Sequence, residues 1–495
     1  MPVTIYPFPA GAPENHRYDV YVNKERVTAH EARVSAMPFN RHWPGHQRTL
    51  DQTELIPFVS FEMTESTEVR VIAHADFDSA LVRPSFKNIK PLCRGREITF
   101  TIPKPGQYSL EIDGSQGALL LFANPPASYH VSENDENTLY FGPGIHHPGT
   151  IELRSGQTVY LHEGAVVYGQ LHAVDAENIR ILGRGILDHS WIDAEEACRR
   201  ADENNVNIDP IRPSPICLRY CRNVIIEGIT VRDPAFLAVR PIACENVEID
   251  NVKIIGCWRY NSDGIDFINS SHSRVRNCFV RSFDDSLCLK GFFFLNQGEM
   301  FHNGQCHAVM DDVVYENCIV WNDWGKALEV GIDLCAMEVK NCAFRNCDII
   351  HCHGSACMDV SNVDYAHVHD IAFENIRVEY DPVIQQPAIQ NNDDEVFRWN
   401  PVSPYLPLLF CLTIKYSVYS FGGTVRGRIG NIDFKDIDVA APHVPPSSFQ
   451  GYDEEHKIEQ VRINGLKFNG RSIDSAENAG ISIGGYVDDV TVVAR

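Results

Sequence analysis

The sequence predicts an all-β protein, in which a parallel β-helix is preceded by an N-terminal antiparallel β-sandwich domain. Two observations lead to this prediction. Residues 1–125 form short alternating strands separated by turn clusters, as in antiparallel sandwiches. From about residue 150 a loose repeat of 20 to 30 residues contains only short strands, with no helical pattern between its copies. The two patterns imply two different ways of building a β core.

The N-terminal domain is expected to span residues 1–125. Period-two alternation of apolar residues appears in Tyr18-Asp-Val-Tyr-Val, Val69-Arg-Val-Ile-Ala and Gly106-Gln-Tyr-Ser-Leu. Pro103-Lys-Pro-Gly is a typical turn between such strands, and Ala123-Asn-Pro-Pro has the composition of a linker. The β-helix domain is therefore expected to span residues 126–495.

The repeat of the second domain pairs alternating apolar residues with a polar turn that is often Asn. Its copies begin at Asn178, Asn223, Asn246, Arg274, Asp312, Glu338, His367 and Asn431. Val224 lies 23 residues before Val247, Val247 lies 28 before Val275, and Val313 lies 26 before Val339. Such periods are too short for propeller blades, which need about 40–45 residues. Each copy should therefore stack on the last, with structural Asn ladders at the turns and with residues 381–425 as an inserted loop.

Composition narrows the function classes. The 495 residues contain 43 Lys plus Arg and 66 Asp plus Glu, a net charge of −23 that disfavours nucleic acid, membrane surfaces and polyanionic polysaccharides as partners. No apolar run approaches the roughly 18 residues of a membrane span, and no signal-like apolar segment follows Met1. The 16 cysteines are mostly flanked by Val and Ile, as buried thiols are. We expect a reduced cytoplasmic protein, or a secreted one if a leader has been removed.

Two acidic segments lie one coil apart. Asn261-Ser-Asp-Gly-Ile-Asp contains Asp263, which is 21 residues before Asp284 and 22 before Asp285. Residues one coil apart stack at about 4.8 Å, so the three carboxyl groups should crowd together, and Asp266 is a further candidate. Crowding raises the pKa of at least one carboxyl group and yields an acid beside a base, which glycosidic hydrolysis requires. Asp at turns is commonly structural, but the shared register of these residues favours a site.

The same residues resemble a known family. Asn261-Ser-Asp-Gly and Phe283-Asp-Asp-Ser-Leu-Cys-Leu-Lys are similar to the Asn-Thr-Asp and Gly-Asp-Asp motifs of glycoside hydrolase family 28, the polygalacturonases. That family shares a right-handed parallel β-helix and a three-aspartate site with family 49, the dextranases and isopullulanases. The resemblance covers about residues 140–440. It implies an inverting mechanism with Asp284 as general acid, and with Asp263 and Asp285 holding and activating water.

Other positions depart from the family pattern. The Gly-His-Gly motif becomes Gly325-Lys-Ala, which introduces Lys326 and, three residues on, Glu329. The Arg-Ile-Lys motif, which grips a galacturonate carboxylate, becomes Ala356-Cys-Met, so no cation remains there. A neutral sugar is therefore expected, unless Lys326 replaces the lost clamp. The residues expected to contact substrate are Asn261, Asp266, Lys326, Glu329, Trp324 and Trp258.

The leading hypothesis is an inverting glycoside hydrolase that acts without a cofactor on a neutral dextran-, pullulan- or fructan-like substrate. A polygalacturonase, a β-helix polysaccharide lyase and a non-enzymatic carbohydrate-binding protein remain alternatives. Zinc binding by Cys342, Cys347, Cys352 and Cys357, with His351 and His353, is disfavoured because C-x2-C spacing is lacking. We expect no metal and leave the oligomeric state open.

Overall fold

The computed structural model describes residues 2–42, 49–193, 213–291, 301–390, 395, 397–420 and 425–495. These residues form β-strands and two single-turn 3₁₀ helices, Leu50–Gln52 and Ser85–Lys87. The all-β prediction is confirmed. Across the described ranges, no helix is long and apolar enough to span a membrane.

The N-terminal region is a sandwich of two sheets packed on a shared apolar core. One sheet contains Val3–Ile5, His30–Ser35, Thr53–Met63, Ala80–Arg83, Gly106–Ile112 and Leu119–Asn124. The other contains Tyr18–Val22, Glu25–Val27, Thr67–Ala73, Leu92–Arg94 and Glu97–Ile102. Strand pairs are antiparallel with one exception: Leu119–Asn124 runs parallel to Thr53–Met63. The predicted antiparallel β-sandwich is confirmed, and this one parallel pair is a detail that alternation alone cannot reveal.

The remaining strands form a parallel β-helix with three stacks, which we call the site, ladder and packing columns. The site column contains Gly144–Leu153, Ala165–Val174, Ile216–Arg219, Val239–Ile242, Ile265–Ile268, Leu287–Gly291, Lys326–Leu334, Ala356–Asn362, Leu408–Ile414, Ser447–Gln450 and Ile481–Ile483. The ladder column contains Thr138–Phe141, Thr158–Leu161, Glu177–Gly183, Arg222–Glu227, Glu245–Asp250, Ser273–Arg276, Val313–Glu316, Glu338–Arg345, His367–Glu379, Arg428–Ala440, Ile458–Asn464 and Val487–Val493. The packing column contains Ile186–Asp188, Thr230–Arg232, Lys253–Ile255, Phe279–Ser282, Ile319–Asn322, Asp348–Cys352 and Lys467–Phe468.

Some strands belong to two columns or lie beside them. Ala165–Val174, His367–Glu379 and Arg428–Ala440 are long enough to continue from one column into the next. Short strands lie at the margins: Val309–Asp311, Arg471–Ser472, the hairpin Phe301–His302 with Gln305–Cys306, and the pair Asn40–His42 with Ala388–Gln390. The last pair joins the sandwich region to the stretch that follows the ladder-column strand His367–Glu379.

The expected Asn ladder is present. Asn223 donates from its side-chain amide to Asn178 at 3.2 Å, and Asn246 donates to Asn223 at 2.8 Å. All three have left-handed φ values of 60°, 54° and 56°, which Asn tolerates better than most side chains. Stacked Asn residues therefore turn the chain and satisfy one another.

The register differs from the sequence spacing in two places. Val224 pairs with Val247 as expected, but Val275 pairs with Ile249 instead of Val247. Val339 pairs with Met310 instead of Val313, because Val309–Asp311 is an additional strand. The slip at Val275 is two residues, which keeps every side chain on the same face, so alternation cannot detect it.

The sandwich packs on the packing column. Phe58 and Phe122 of the sandwich share one buried cluster with Phe279, Trp321 and Ile350 of the helix. Phe279–Ser282 leads directly into Phe283-Asp-Asp, so this interface borders the acidic turn. Within residues 381–425, expected to be a loop, Leu408–Ile414 is a site-column strand paired with Ala356–Asn362. All fifteen described cysteines are free thiols, and most of them are buried.

Candidate active site

Three turns bring acidic and basic side chains to one register of the site column. Asp263 precedes Ile265–Ile268, Asp285 precedes Leu287–Gly291, and Lys326 begins the next strand. Backbone hydrogen bonds fix this order: Gly264 N–H donates to Asp285 O, and Ser286 N–H donates to Lys326 O, both at 2.9 Å. The one-coil spacing of the acidic segments therefore corresponds to direct stacking.

Gly325 leaves room for this arrangement. A Cβ atom at that position would lie 2.5 Å from Asp285 Oδ1, closer than side chains tolerate. The Lys326 backbone N–H donates to the same Oδ1 at 3.0 Å. The turn of the following coil thus fixes the position of the Asp285 carboxylate through this hydrogen bond.

Lys290 is the residue that the sequence analysis missed. Its ammonium donates to Asp263 Oδ2 at 2.8 Å and to Asp285 Oδ2 at 2.9 Å, and it lies 3.7 Å from Asp266 Oδ2. All four side chains are buried. Lys290 therefore bridges two coils and compensates the charge of the carboxylates. Its signal was the alternation Leu287-Cys-Leu-Lys, which turns the lysine away from the helix core, toward the acidic face.

Asp284 and Asp285 are adjacent in sequence but ionise differently. Burial, reinforced by the Asp285 and Asp263 carboxylates, raises the pKa of Asp284 to about 7. Burial alone would also raise the pKa of Asp285, but Lys290 and Lys326 outweigh it and hold that pKa well below its usual range. The pair therefore presents a protonated carboxylic acid beside an ionised carboxylate near neutral pH.

Lys290 also acts on the pKa values of the other two aspartates, Asp263 and Asp266. Burial outweighs Lys290 and raises the pKa of Asp266 to about 6. Burial, with Asp266 and Asp285 nearby, also raises the pKa of Asp263. A single ammonium thus serves more carboxyl groups than it can keep ionised.

Lys326 is engaged by acidic partners. Its ammonium donates to Glu329 Oε1 at 2.6 Å and lies 3.7 Å from Asp285 Oδ1. Glu329 is fully buried. In the strand register, Asp359 lies directly opposite it on the next coil. One strand further along the same column, Ala356, Cys357 and Met358 are buried and carry no charge. The lost Arg-Ile-Lys clamp has no replacement on that strand.

The structure separates the other expected contacts. Trp258 is only 3% exposed, its indole N–H donates to Asp233 Oδ1 at 2.8 Å, and the Arg259 guanidinium covers its ring. The prediction that Trp258 contacts substrate is therefore not supported, because its ring is buried against Asp233 and Arg259. Trp324 is half-buried beside Gly325 and stacks on Phe283, with ring centroids 5.6 Å apart. Asn261 occupies a left-handed turn position two residues before Asp263 and is also half-buried.

Three groups of side chains within the described residues converge closely enough to hold a metal ion. They are Asp285–Cys288–Glu329 in the site, Glu338–His367–His369 on the ladder column, and His351–His353–Asp381 beside the sandwich. Cys342, Cys347, Cys352 and Cys357 instead point into the apolar helix core. The cysteine and histidine sets that lie close in sequence are therefore separated in space.

Comparison with known proteins supports the family resemblance. Residues 144–308, about a third of the chain, match the sequence model of Glycosyl hydrolases family 28. A dextranase of Arthrobacter sp. (strain CB-8) is 22% identical over 46% of this chain and 35% of its own length. An exo-poly-alpha-D-galacturonosidase of Dickeya chrysanthemi is 23% identical over 51% of this chain and 58% of its own length. The chain thus spans between a third and three-fifths of these curated relatives.

The fold has a counterpart among solved structures. Dex49A from Penicillium minioluteum superposes with a TM-score of 0.64, at 14% sequence identity, over 99% of this chain and 96% of that protein. The match includes both the sandwich and the β-helix. It confirms the predicted fold class, and the matched sequence segment 144–308 includes Asp263, Asp284 and Asp285.

Proposed function

We propose that the protein is an inverting glycoside hydrolase that acts on a neutral oligosaccharide or polysaccharide. The observation that carries the proposal is the unequal environment of Asp284 and Asp285. Burial and the neighbouring carboxylates raise the pKa of Asp284 to about 7, while Lys290 and Lys326 hold the pKa of Asp285 well below its usual range. An acid beside a base is the pair that glycosidic cleavage needs.

Each carboxyl group has a distinct role in this proposal. Asp284 donates its proton to the glycosidic oxygen as the bond to the anomeric carbon breaks. Asp285 accepts a proton from water that attacks the opposite face of the sugar, and Asp263 orients that water. Lys290 touches both Asp263 and Asp285, so it is a positioning residue that keeps the base ionised.

The family match supports the reaction class. Its range includes all three aspartates, and relatives named for dextran and for polygalacturonic substrates both appear. These relatives share only part of their length with this chain, so the glycosidase activity and the substrate are both part of the proposal.

Charge favours a neutral substrate. Lys290 and Lys326 already contact carboxylates, and the strand that would carry the family clamp is uncharged at Ala356, Cys357 and Met358. A uronate entering beside Asp263 and Asp285 would bring a further negative charge without a counter-ion. Such a charge in a partly desolvated site costs several kcal/mol.

The second candidate is a polygalacturonase, which the relative of Dickeya chrysanthemi favours. For that activity Lys326 would have to leave Glu329 and turn toward the substrate. The two candidates differ in which substrate is cleaved, whereas the roles of the aspartates are the same in both.

A hydrolysis screen with stereochemical detection tests the proposal. Dextran, pullulan, fructans, polygalacturonate and their short oligomers are incubated with the full chain, and proton NMR identifies the first anomer formed. We expect a neutral glycan to be cleaved with inversion. A retained anomer would mean that one aspartate is a nucleophile, and unsaturated products from a uronan would indicate a lyase instead.

A further inference from the structure

A second polar centre lies between the sandwich and the β-helix, apart from the acidic turns. His351 Nδ1 and His353 Nε2 lie 2.8 Å and 2.6 Å from the same atom, Asp381 Oδ2. Both imidazoles are buried, with exposed fractions of 0% and 2%. The potential ligand atoms of the three side chains all lie within 4.8 Å of one another. Two nitrogens and one oxygen thus converge on one point.

The outer contacts of this centre orient its members. The far nitrogen of His351, Nε2, lies 2.7 Å from Glu111 Oε1 of the sandwich. The Arg83 guanidinium donates to Asp381 Oδ1 at 2.8 Å and also to Glu111 and Glu379. A carboxylate behind a histidine, and a donor behind the ligating carboxylate, are what metal centres use to fix ligand orientation.

The contacts inside the cluster place two imidazole nitrogens against one carboxylate oxygen. If the contacts were only hydrogen bonds, two imidazole N–H groups would have to share one carboxylate oxygen. Three carboxylates, Glu111, Glu379 and Asp381, also face one guanidinium. A cation held between the two histidines and Asp381 would lie close to this group of carboxylates.

We propose that His351, His353 and Asp381 form a binding site for a divalent transition-metal ion of the zinc class. Imidazole and carboxylate donors suit such ions, and three protein ligands leave one position for water. Asp381 also lines an adjacent cleft of about 740 Å³ together with Arg83 and Trp399. This proposal departs from the expectation of no metal, which considered only the spacing of residues in sequence.

The site would link three parts of the chain. Glu111 belongs to the sandwich, the histidines to the end of a packing-column strand, and Asp381 to the segment after His367–Glu379. The coil that carries His353 also contacts the active-site turns, since His353 N–H donates to Asn322 O at 2.9 Å. Metal binding would therefore stabilise the sandwich against the coil next to Gly325.

Metal binding by the full chain tests the proposal. The protein is stripped with a chelator, titrated with Zn²⁺ by calorimetry and with Co²⁺ by visible absorption, and its bound metal is measured by elemental analysis. We expect one equivalent per chain and a rise in Tm on loading. His353→Gln keeps an amide donor for Asp381 but removes the ligand, so it should fold, lose at least about a hundredfold in affinity and show no Tm rise.

The matched control is His367→Gln, in the partly exposed group Glu338–His367–His369. This variant should bind one equivalent like the wild type. The proposal is overturned if the wild type binds no metal at micromolar concentration, or if His353→Gln retains wild-type affinity. Loss of the bound equivalent in His367→Gln would also overturn it, because the surface group would then be the site.

Discussion

Two stacks of side chains run along this β-helix, and they differ in what their repetition does. The Asn ladder, Asn178–Asn223–Asn246, lies at the exposed start of three successive ladder-column strands, and its members hydrogen-bond to each other. The carboxylate stack, Asp263–Asp285, lies buried before the site column. Both place like residues about 4.8 Å apart on successive coils. Only the Asn residues can satisfy their hydrogen-bonding groups with one another.

The difference follows from what each side chain offers. A carboxamide has both donors and an acceptor, so identical neighbours pair. Two ionised carboxylates offer only acceptors and repel each other, and burial increases the cost. Lys290 bridges Asp263 and Asp285, while burial and these neighbouring carboxylates raise the pKa of Asp284 to about 7. A stack of like residues that is stable only with a compensating residue of another type is a better indication of function than a stack whose members hydrogen-bond to one another.

Replacing the acid should produce the largest effect. Asp284→Asn is nearly isosteric and should lower kcat by roughly 10²–10⁴ while substrate binding and folding persist. Steady-state kinetics on the best neutral substrate, with circular dichroism as the folding check, measures this. A variant that retains more than half of the wild-type kcat would remove Asp284 from the acid role.

Removing the shared cation should destabilise the fold. Lys290→Met leaves Asp263 and Asp285 buried without their bridging ammonium, which should lower the free energy of unfolding by about 3–5 kcal/mol. Denaturant unfolding measures this loss. Lys340→Met, which removes the surface ion pair with Glu338, is the control and should leave the free energy of unfolding nearly unchanged. The Lys290→Met deficit should shrink as pH falls, because protonation removes the uncompensated charges. Equal losses in the two variants would contradict the bridging role.

Substrate charge should have a somewhat smaller effect. Neutral glycans should be cleaved with a kcat/KM about 10²-fold or more above that for polygalacturonate. Lys326→Ala removes the lysine that would have to leave Glu329 and turn toward the substrate to act as a clamp. Efficient polygalacturonate hydrolysis that collapses in this variant would identify the protein as a polygalacturonase with a relocated cation.

The Asn ladder should give the smallest effect. Asn223→Ala loses two amide hydrogen bonds and places Ala at a φ of 54°, which should cost about 1–2 kcal/mol of stability. Asn223→Gly relieves the backbone term and isolates the hydrogen bonds. Both variants should leave kcat unchanged. A large loss of kcat in either would contradict a purely structural role for the Asn ladder.

The sequence was sufficient for features that repeat or lie one coil apart. The short strand-only period predicted the β-helix, and the spacing of Asp263 and Asp285 predicted their stacking. It did not predict contacts between distant segments. Glu111 and His351 are 240 residues apart, so their meeting depends on how the sandwich docks. The packing of Trp258 against Asp233 and Arg259 could not be predicted, because these contacts give no periodic signal in the sequence.

The pH profile of kcat/KM tests most directly whether Asp284 and Asp285 act as an acid–base pair. Because the acid must be protonated and burial with nearby carboxylates raises the pKa of Asp284 to about 7, activity should fall as pH rises through that value. The base, Asp285, should stay ionised over the whole working range. In Asp284→Asn, a substrate with an activated leaving group should recover much of the lost rate and show no alkaline limb near pH 7. The same alkaline limb in wild type and Asp284→Asn would contradict the account.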